Sequence, residues 1–136
     1  MVEEDIRRIL TPIRFPIKYQ NKRTLEKAME LSKEHEAELV ILHVNLFQNG
    51  DTITEAELMR EIRDKVGNFE ASLVIKEGFL VEESILEEIV RVDPDLVVVG
   101  RKEKSVWNKI TRKFMGTKRV DHFLKENCEC EVISVH

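Results

Sequence analysis

The chain has 136 residues, 42% of them hydrophobic and 35% charged, with a net charge of −4. That is the size of one ordinary domain with one core, and the composition excludes a disordered or collagen-like chain. No apolar run approaches the roughly 20 residues that cross a bilayer, and MVEEDIRRIL carries no apolar stretch ahead of a cleavage site, so a cytoplasmic protein is expected.

The first apolar run, Ile6 to Ile13, predicts a strand, with Pro12 tolerable only at its end because proline cannot donate to a ladder. Asn21 to Glu36 predicts a helix with Leu25, Ala28, Met29 and Ser32 on one face. Glu38 to Leu46 (ELVILHVNL) is a longer, nearly all-apolar second strand. Thr54 stands three residues before Glu57, the spacing of a capping box, and opens a helix to Val66 that buries Leu58, Met59, Ile62 and Val66. A short third strand covers Ala71 to Ile75. Val81 to Val92 predicts a helix that repeats Val81, Ile85 and Ile89 at fours, has Glu82 and Glu83 near its N-terminus, and is stopped by Asp93-Pro94. Asp95 to Gly100 is the fourth strand, Thr117 to Asn127 a fourth helix, and Val132 to Val135 the last strand.

Continuous β-branched runs of this kind are buried on both faces, the mark of a parallel sheet. Five strands alternating with four helices, joined by right-handed crossovers, give a doubly wound, Rossmann-like α/β fold with helices on both faces. Residues 1–136 read as a single domain, without linker, internal repeat or low-complexity tract.

Ligands of open α/β sheets bind outside the carboxyl ends of the strands, where strand order reverses. Two segments leaving such ends are basic. Ile6 to Leu25 holds six bases and no acid, and Arg101 to Arg119 holds eight bases and one acid, Glu103. Gly116-Thr117 opens the last helix, where free N–H groups and the helix dipole suit an anion; a turn glycine and a plain N-cap explain the same dipeptide. Walker A, G-x-S-x-G and HExxH patterns are missing from the sequence, so no enzyme is expected. The acidic cluster of a response-regulator receiver is also missing, since Arg14 follows the first strand. His43, inside a strand, reads as a hydrogen-bonded core residue. Cys128 and Cys130 are two ligands short of a structural zinc site, and neither is expected to bind metal.

Six segments in this order resemble the universal stress protein family over essentially the whole chain. They are ILTPI, Leu25 to Ala28, VILHV at 40–44, DPDLVVVG at 93–100, Phe114 to Thr117, and CEVISV at 130–135. The resemblance implies strand order 3-2-1-4-5, which makes the first and fourth strands neighbours and brings the two basic stretches to one crevice. Its nucleotide-binding branch has an Asp after the first strand and G-x2-G-x9-G-(S/T) after the fourth. Here Arg14 holds the Asp position, Gly100 matches the first glycine, Glu103 stands at the second, and Gly116-Thr117 matches the last pair with three extra residues between. Val44 matches a position whose backbone meets adenine. Arg donates hydrogen bonds only and cannot take over an acceptor's role toward ribose. The resemblance therefore implies a non-catalytic stress-response module, homodimeric through its C-terminal edge strand, with a small anion at Arg14, Val44, Gly100, Arg101, Lys102, Gly116 and Thr117. The alternative is a switch that binds ATP or AMP through an altered phosphate loop. Neither membrane nor specific nucleic acid is expected as a partner.

Overall fold

A computed structural model describes residues 5–50, 52–101 and 130–135. In chain order it contains β1 (Arg8–Pro12), α1 (Tyr19–His35), β2 (Glu38–Leu46), a 3-10 turn (Phe47–Asn49), α2 (Glu55–Val66), β3 (Ser72–Gly78), α3 (Val81–Val92), β4 (Leu96–Gly100) and β5 (Glu131–Val135). All four strand pairings are parallel and the order is β3-β2-β1-β4-β5. The helix expected over Thr117 to Asn127 lies outside the described residues.

Alternation of side chains along each strand assigns the two cores. Ile9, Leu39, Ile41, Leu96 and Val98 face one way and pack against Leu25, Ala28 and Leu31 of α1 and Leu58 and Ile62 of α2. Leu10, Val40, Leu42, Val97 and Val99 face the other way, onto Ile85, Ile89 and Val92 of α3. The three central strands thus bury both faces, which is why their sequences are unbroken apolar runs. β3, at an edge, is only half-buried, and it runs three residues past the Ile75 end that its sequence suggests.

Helix ends follow their local chemistry. Thr54 Oγ1 accepts from the Glu57 N–H at 3.2 Å and donates to the Glu57 carboxylate, starting α2 where the capping spacing puts it. Glu36 and Asp93 end α1 and α3 in the left-handed region, at φ 52° and 51°. α1 begins two residues before Asn21, with Lys18 at its N-cap and no side chain capping it.

β1 and β4 part company early, and one residue explains it. Their ladder stops at Leu10↔Val97. The next donor toward β4 belongs to Pro12, the last residue of β1, which has no N–H. The Val98 carbonyl that it would have reached accepts instead from Thr11 Oγ1 at 2.8 Å. Beyond that point the two central strands are free to diverge toward their carboxyl ends.

Candidate functional site

The parting of β1 and β4 lies where strand order reverses, the position at which open α/β sheets bind ligands. Arg14 is exposed, two residues past the end of β1. Gly100 closes β4, is buried, and pairs with Val135 of β5. Arg101, also exposed, follows directly on Gly100 at the end of β4. Two side chains hold the surrounding loop. Asn21 Nδ2 donates to the Arg14 carbonyl at 2.9 Å, folding the loop back on the first turn of α1. Gln20 Nε2 donates to the Val135 carbonyl at 2.9 Å and fixes the head of α1 to the end of β5.

Val44 lies one strand away, half-buried on the α3 side of β2 and opposite Lys76 of β3. With Arg14, Pro12, Leu42, Val81 and Ile85 it lines a cavity of about 40 Å³. The structure brings Arg14 and Val44 to one cavity, and Gly100 and Arg101 to the neighbouring strand end. Lys102, Gly116 and Thr117 lie outside the described residues, as do Glu103 and Cys128.

A second cleft, of about 470 Å³, opens on the α2 side of β2 between the loops that follow β1 and β2. Phe15, Val44 and Ile53 give it apolar wall, and Asn49, Thr52 and Glu57 give it polar rim. Its base is built on Asn45, which is 6% exposed. Asn45 Oδ1 accepts from the Ile53 N–H at 3.1 Å while Nδ2 donates to the Ile53 carbonyl at 3.0 Å. These two bonds fix which end of the amide is oxygen. His43 Nε2, 3.1 Å from that same oxygen, must therefore carry a proton. The neutral ring then has its lone pair on Nδ1, a buried atom without a hydrogen-bond partner among the described residues. Burial lowers the His43 pKa below its ordinary value, against smaller opposing effects of the Ile13 main chain and Asn45. The ring meets Phe15 edge-on, with centroids 6.4 Å apart. His43 is thus a bonded, buried strand residue.

Asn45 is the residue that sequence reasoning passed over. Its signal was there, an amide inside an otherwise apolar strand run, where burial demands partners. Phe15 and the turn at Phe47–Asn49 gave no comparable signal.

Elsewhere among the described residues, one carboxylate is buried. Glu88 on α3, 1% exposed, receives Arg91 on both oxygens and has Lys76 Nζ at 3.8 Å. Arg91's pKa is raised by its bond to Glu88. The cluster joins α3 to β3 and borders neither cavity described above. Cys130 packs against the α3-side core. Among the described residues no His, Cys, Asp and Glu cluster could hold a metal ion, and no helix is long and apolar enough to cross a membrane.

No family model matches the chain, and no curated protein matches it in sequence. Solved structures do match. A universal stress protein in complex with cAMP superposes with a TM-score of 0.61 at 17% identity, covering 98% of this chain and 98% of its own. The universal stress protein from Archaeoglobus fulgidus in complex with dAMP gives 0.61 at 13% identity, covering 98% and 100%. A universal stress protein family member from Burkholderia pseudomallei gives 0.59 at 18% identity, covering 98% and 98%. The chain has the fold of the universal stress proteins, with the same strand order that its sequence resemblance implied.

Proposed function

We propose that this chain is a universal stress protein-like regulatory module, cytoplasmic and without catalysis of its own, which binds a small anionic ligand where β1 and β4 diverge. The observation that carries the reading is the Pro12-directed parting of these strands, with Arg14 two residues past the end of one and Arg101 one residue past the end of the other. A guanidinium offers paired donors that match phosphate geometry, which supports a phosphate-bearing ligand. Two structures of this fold hold cAMP and dAMP, which supports a phosphate-bearing ligand for this one. In the resemblance, Gly100, Lys102, Gly116 and Thr117 complete the seat. β5, at the sheet edge, is the surface through which a second copy pairs.

A second reading, an ATP- or AMP-binding switch, is favoured by the cleft beside Val44. At about 470 Å³ it falls within the range of about 300–1,000 Å³ usual for small-molecule sites, and Phe15 offers a ring to a base.

Thermal unfolding with inorganic phosphate and with AMP separates the two. The anion reading expects both to raise the melting temperature, less so as salt rises, and Arg14→Asp to remove most of the shift. Stabilisation by AMP alone, indifferent to Arg14→Asp but lost in Phe15→Ala, would favour the nucleotide switch. Stabilisation that survives both Arg14→Asp and Gly116→Val would put the ligand elsewhere and end the anion reading. Monomer alone in sedimentation at tens of micromolar (a rough figure, chosen from ordinary dimer affinities) would remove the β5 dimer.

A further inference from the structure

At the opposite, amino edge of the sheet lies the largest concavity described, a groove of about 1280 Å³ between the C-terminal halves of α1 and α2. Its apolar lining is the partly exposed outer side of the first core, Met29 of α1, Val66 of α2, and Phe69 and Ala71 of the strand approach, with Ser32, Asn68 and Ser72 beside it. Its rim is acidic. Glu26, Glu30, Glu36, Glu38 and Glu70 surround it, against two bases, Lys33 and Arg63. Glu30 and Glu38 have cationic neighbours, Lys27 and Arg8. Glu26, Glu36 and Glu70 are exposed and make no ion pair among the described residues.

The backbone adds to this field. In a parallel α/β unit each helix returns the chain to the amino edge, so α1 and α2 both end beside the groove, at Glu36 and Gly67. Helix C-termini carry partial negative charge from their last carbonyls. Lys33 and His35 in the last turn of α1, and Arg63 and Lys65 in that of α2, offset these ends, so the field is set by five rim carboxylates against two rim bases; it attracts cations and disfavours nucleic acid and anionic lipid. A bare metal ion would leave Met29, Val66 and Phe69 without a contact. The volume exceeds what small ligands need.

We infer that this groove is a docking surface for a basic amphipathic segment of a partner protein. Such a segment seats two or three apolar side chains along Met29, Val66 and Phe69 and turns Lys and Arg toward Glu26, Glu36 and Glu70. This is the helix-in-groove mode of peptide recognition with the charge sign set by the rim.

The probe is a fluorescent 18-residue helical peptide of Leu and Lys with its leucines on one face, titrated into the full chain and followed by anisotropy. Saturable binding is expected, at least tenfold weaker in the Glu26→Lys/Glu36→Lys/Glu70→Lys triple variant and weakened again by added salt. Phe69→Ser is expected to weaken it without changing the salt dependence, and circular dichroism checks that each variant is folded. Equal affinity for a scrambled peptide, or for the folded triple variant, would overturn the proposal, as would no binding at all. A dimer that the triple variant converts to monomer would also overturn it, because the groove would then be occupied by a second copy. None of these results bears on the ligand at the carboxyl edge, which lies at the other end of the strands.

Discussion

The two ends of this sheet solve the problem of polar groups in opposite ways. At the carboxyl edge, Thr11, His43 and Asn45 are buried, and bonds to named atoms hold them: the Val98 carbonyl, the Asn45 oxygen, and both main-chain groups of Ile53. At the amino-edge groove the polar groups are carboxylates left largely in water. A buried polar group in a fixed network is costly to disturb and gives the loops above it one position. An exposed carboxylate contributes little to folding and stays available to a partner. The first arrangement suits the ligand site we propose, the second the docking we infer. Substitutions at the first should cost stability, and substitutions at the second should cost little.

The largest effect is expected from Asn45→Leu. It keeps the branched shape, in a somewhat bulkier side chain, but strands the Ile53 N–H and carbonyl and the His43 N–H, each a group that costs roughly 1–3 kcal/mol when buried without a partner. Because Ile53 is only half-buried and can reach water, the expected loss is about 2–4 kcal/mol by urea titration. A loss below about 1 kcal/mol would show that the network is not what holds this edge.

His43 comes next, through pH. Its folded pKa is lowered by burial, so as pH falls through about 6.5 the unfolded chain takes a proton that the folded chain refuses. The stability that His43 contributes is complete above that value. It declines on acidification, by at most about 1.4 kcal/mol per pH unit, until the folded ring titrates too. Arg14 and Glu57 are the charged side chains lining the cavities it borders. Carboxylates add their own acid sensitivity, so the measurement is the difference between wild type and His43→Phe over pH 7 to 5. The variant should lose less stability on acidification; parallel curves would refute the assignment.

Much of the fold was legible because long apolar runs and helical spacing are properties of neighbouring residues. β2 and α3 were readable to the residue, and Pro12 announced the end of β1 through its missing N–H. The order of strands was not in those patterns and came from resemblance to a family. The site was less legible, since it depends on pairs distant in sequence. Arg14 meets Val44 across two strands, and Gln20 reaches Val135 across 115 positions. The acidic groove was harder still. Its carboxylates look like ordinary solvated faces in α1 and gain meaning only when two helix ends converge on them.

A smaller effect than either is expected from Thr54→Ala, which removes the side-chain acceptor of the Glu57 N–H at the head of α2. Loss of such a cap costs about 1 kcal/mol. Thr54 follows Ile53 directly, so the change also loosens the segment that Asn45 holds. A double-mutant cycle with Asn45→Leu should give less than the sum of the single losses, whereas strict additivity would mean that cap and brace act independently.

The smallest effect is expected from Glu38→Gln, and it tests the comparison most directly. Glu38 begins β2, lies 3.4 Å from the Arg8 guanidinium, and rims the groove. Both side chains are about half exposed, at 43% and 54%, so solvent screens the pair. Exposed pairs are worth 0.2–1 kcal/mol at most in typical cycles, and the change to Gln keeps a hydrogen-bond acceptor for Arg8. A stability change below about 0.5 kcal/mol is expected, shrinking further in high salt. Affinity for the basic peptide should nonetheless fall, because one carboxylate has left the rim. If Glu38→Gln instead destabilised the chain as much as Thr54→Ala does, the amino-edge charges would belong to the fold, and the division of labour between the two edges would fail.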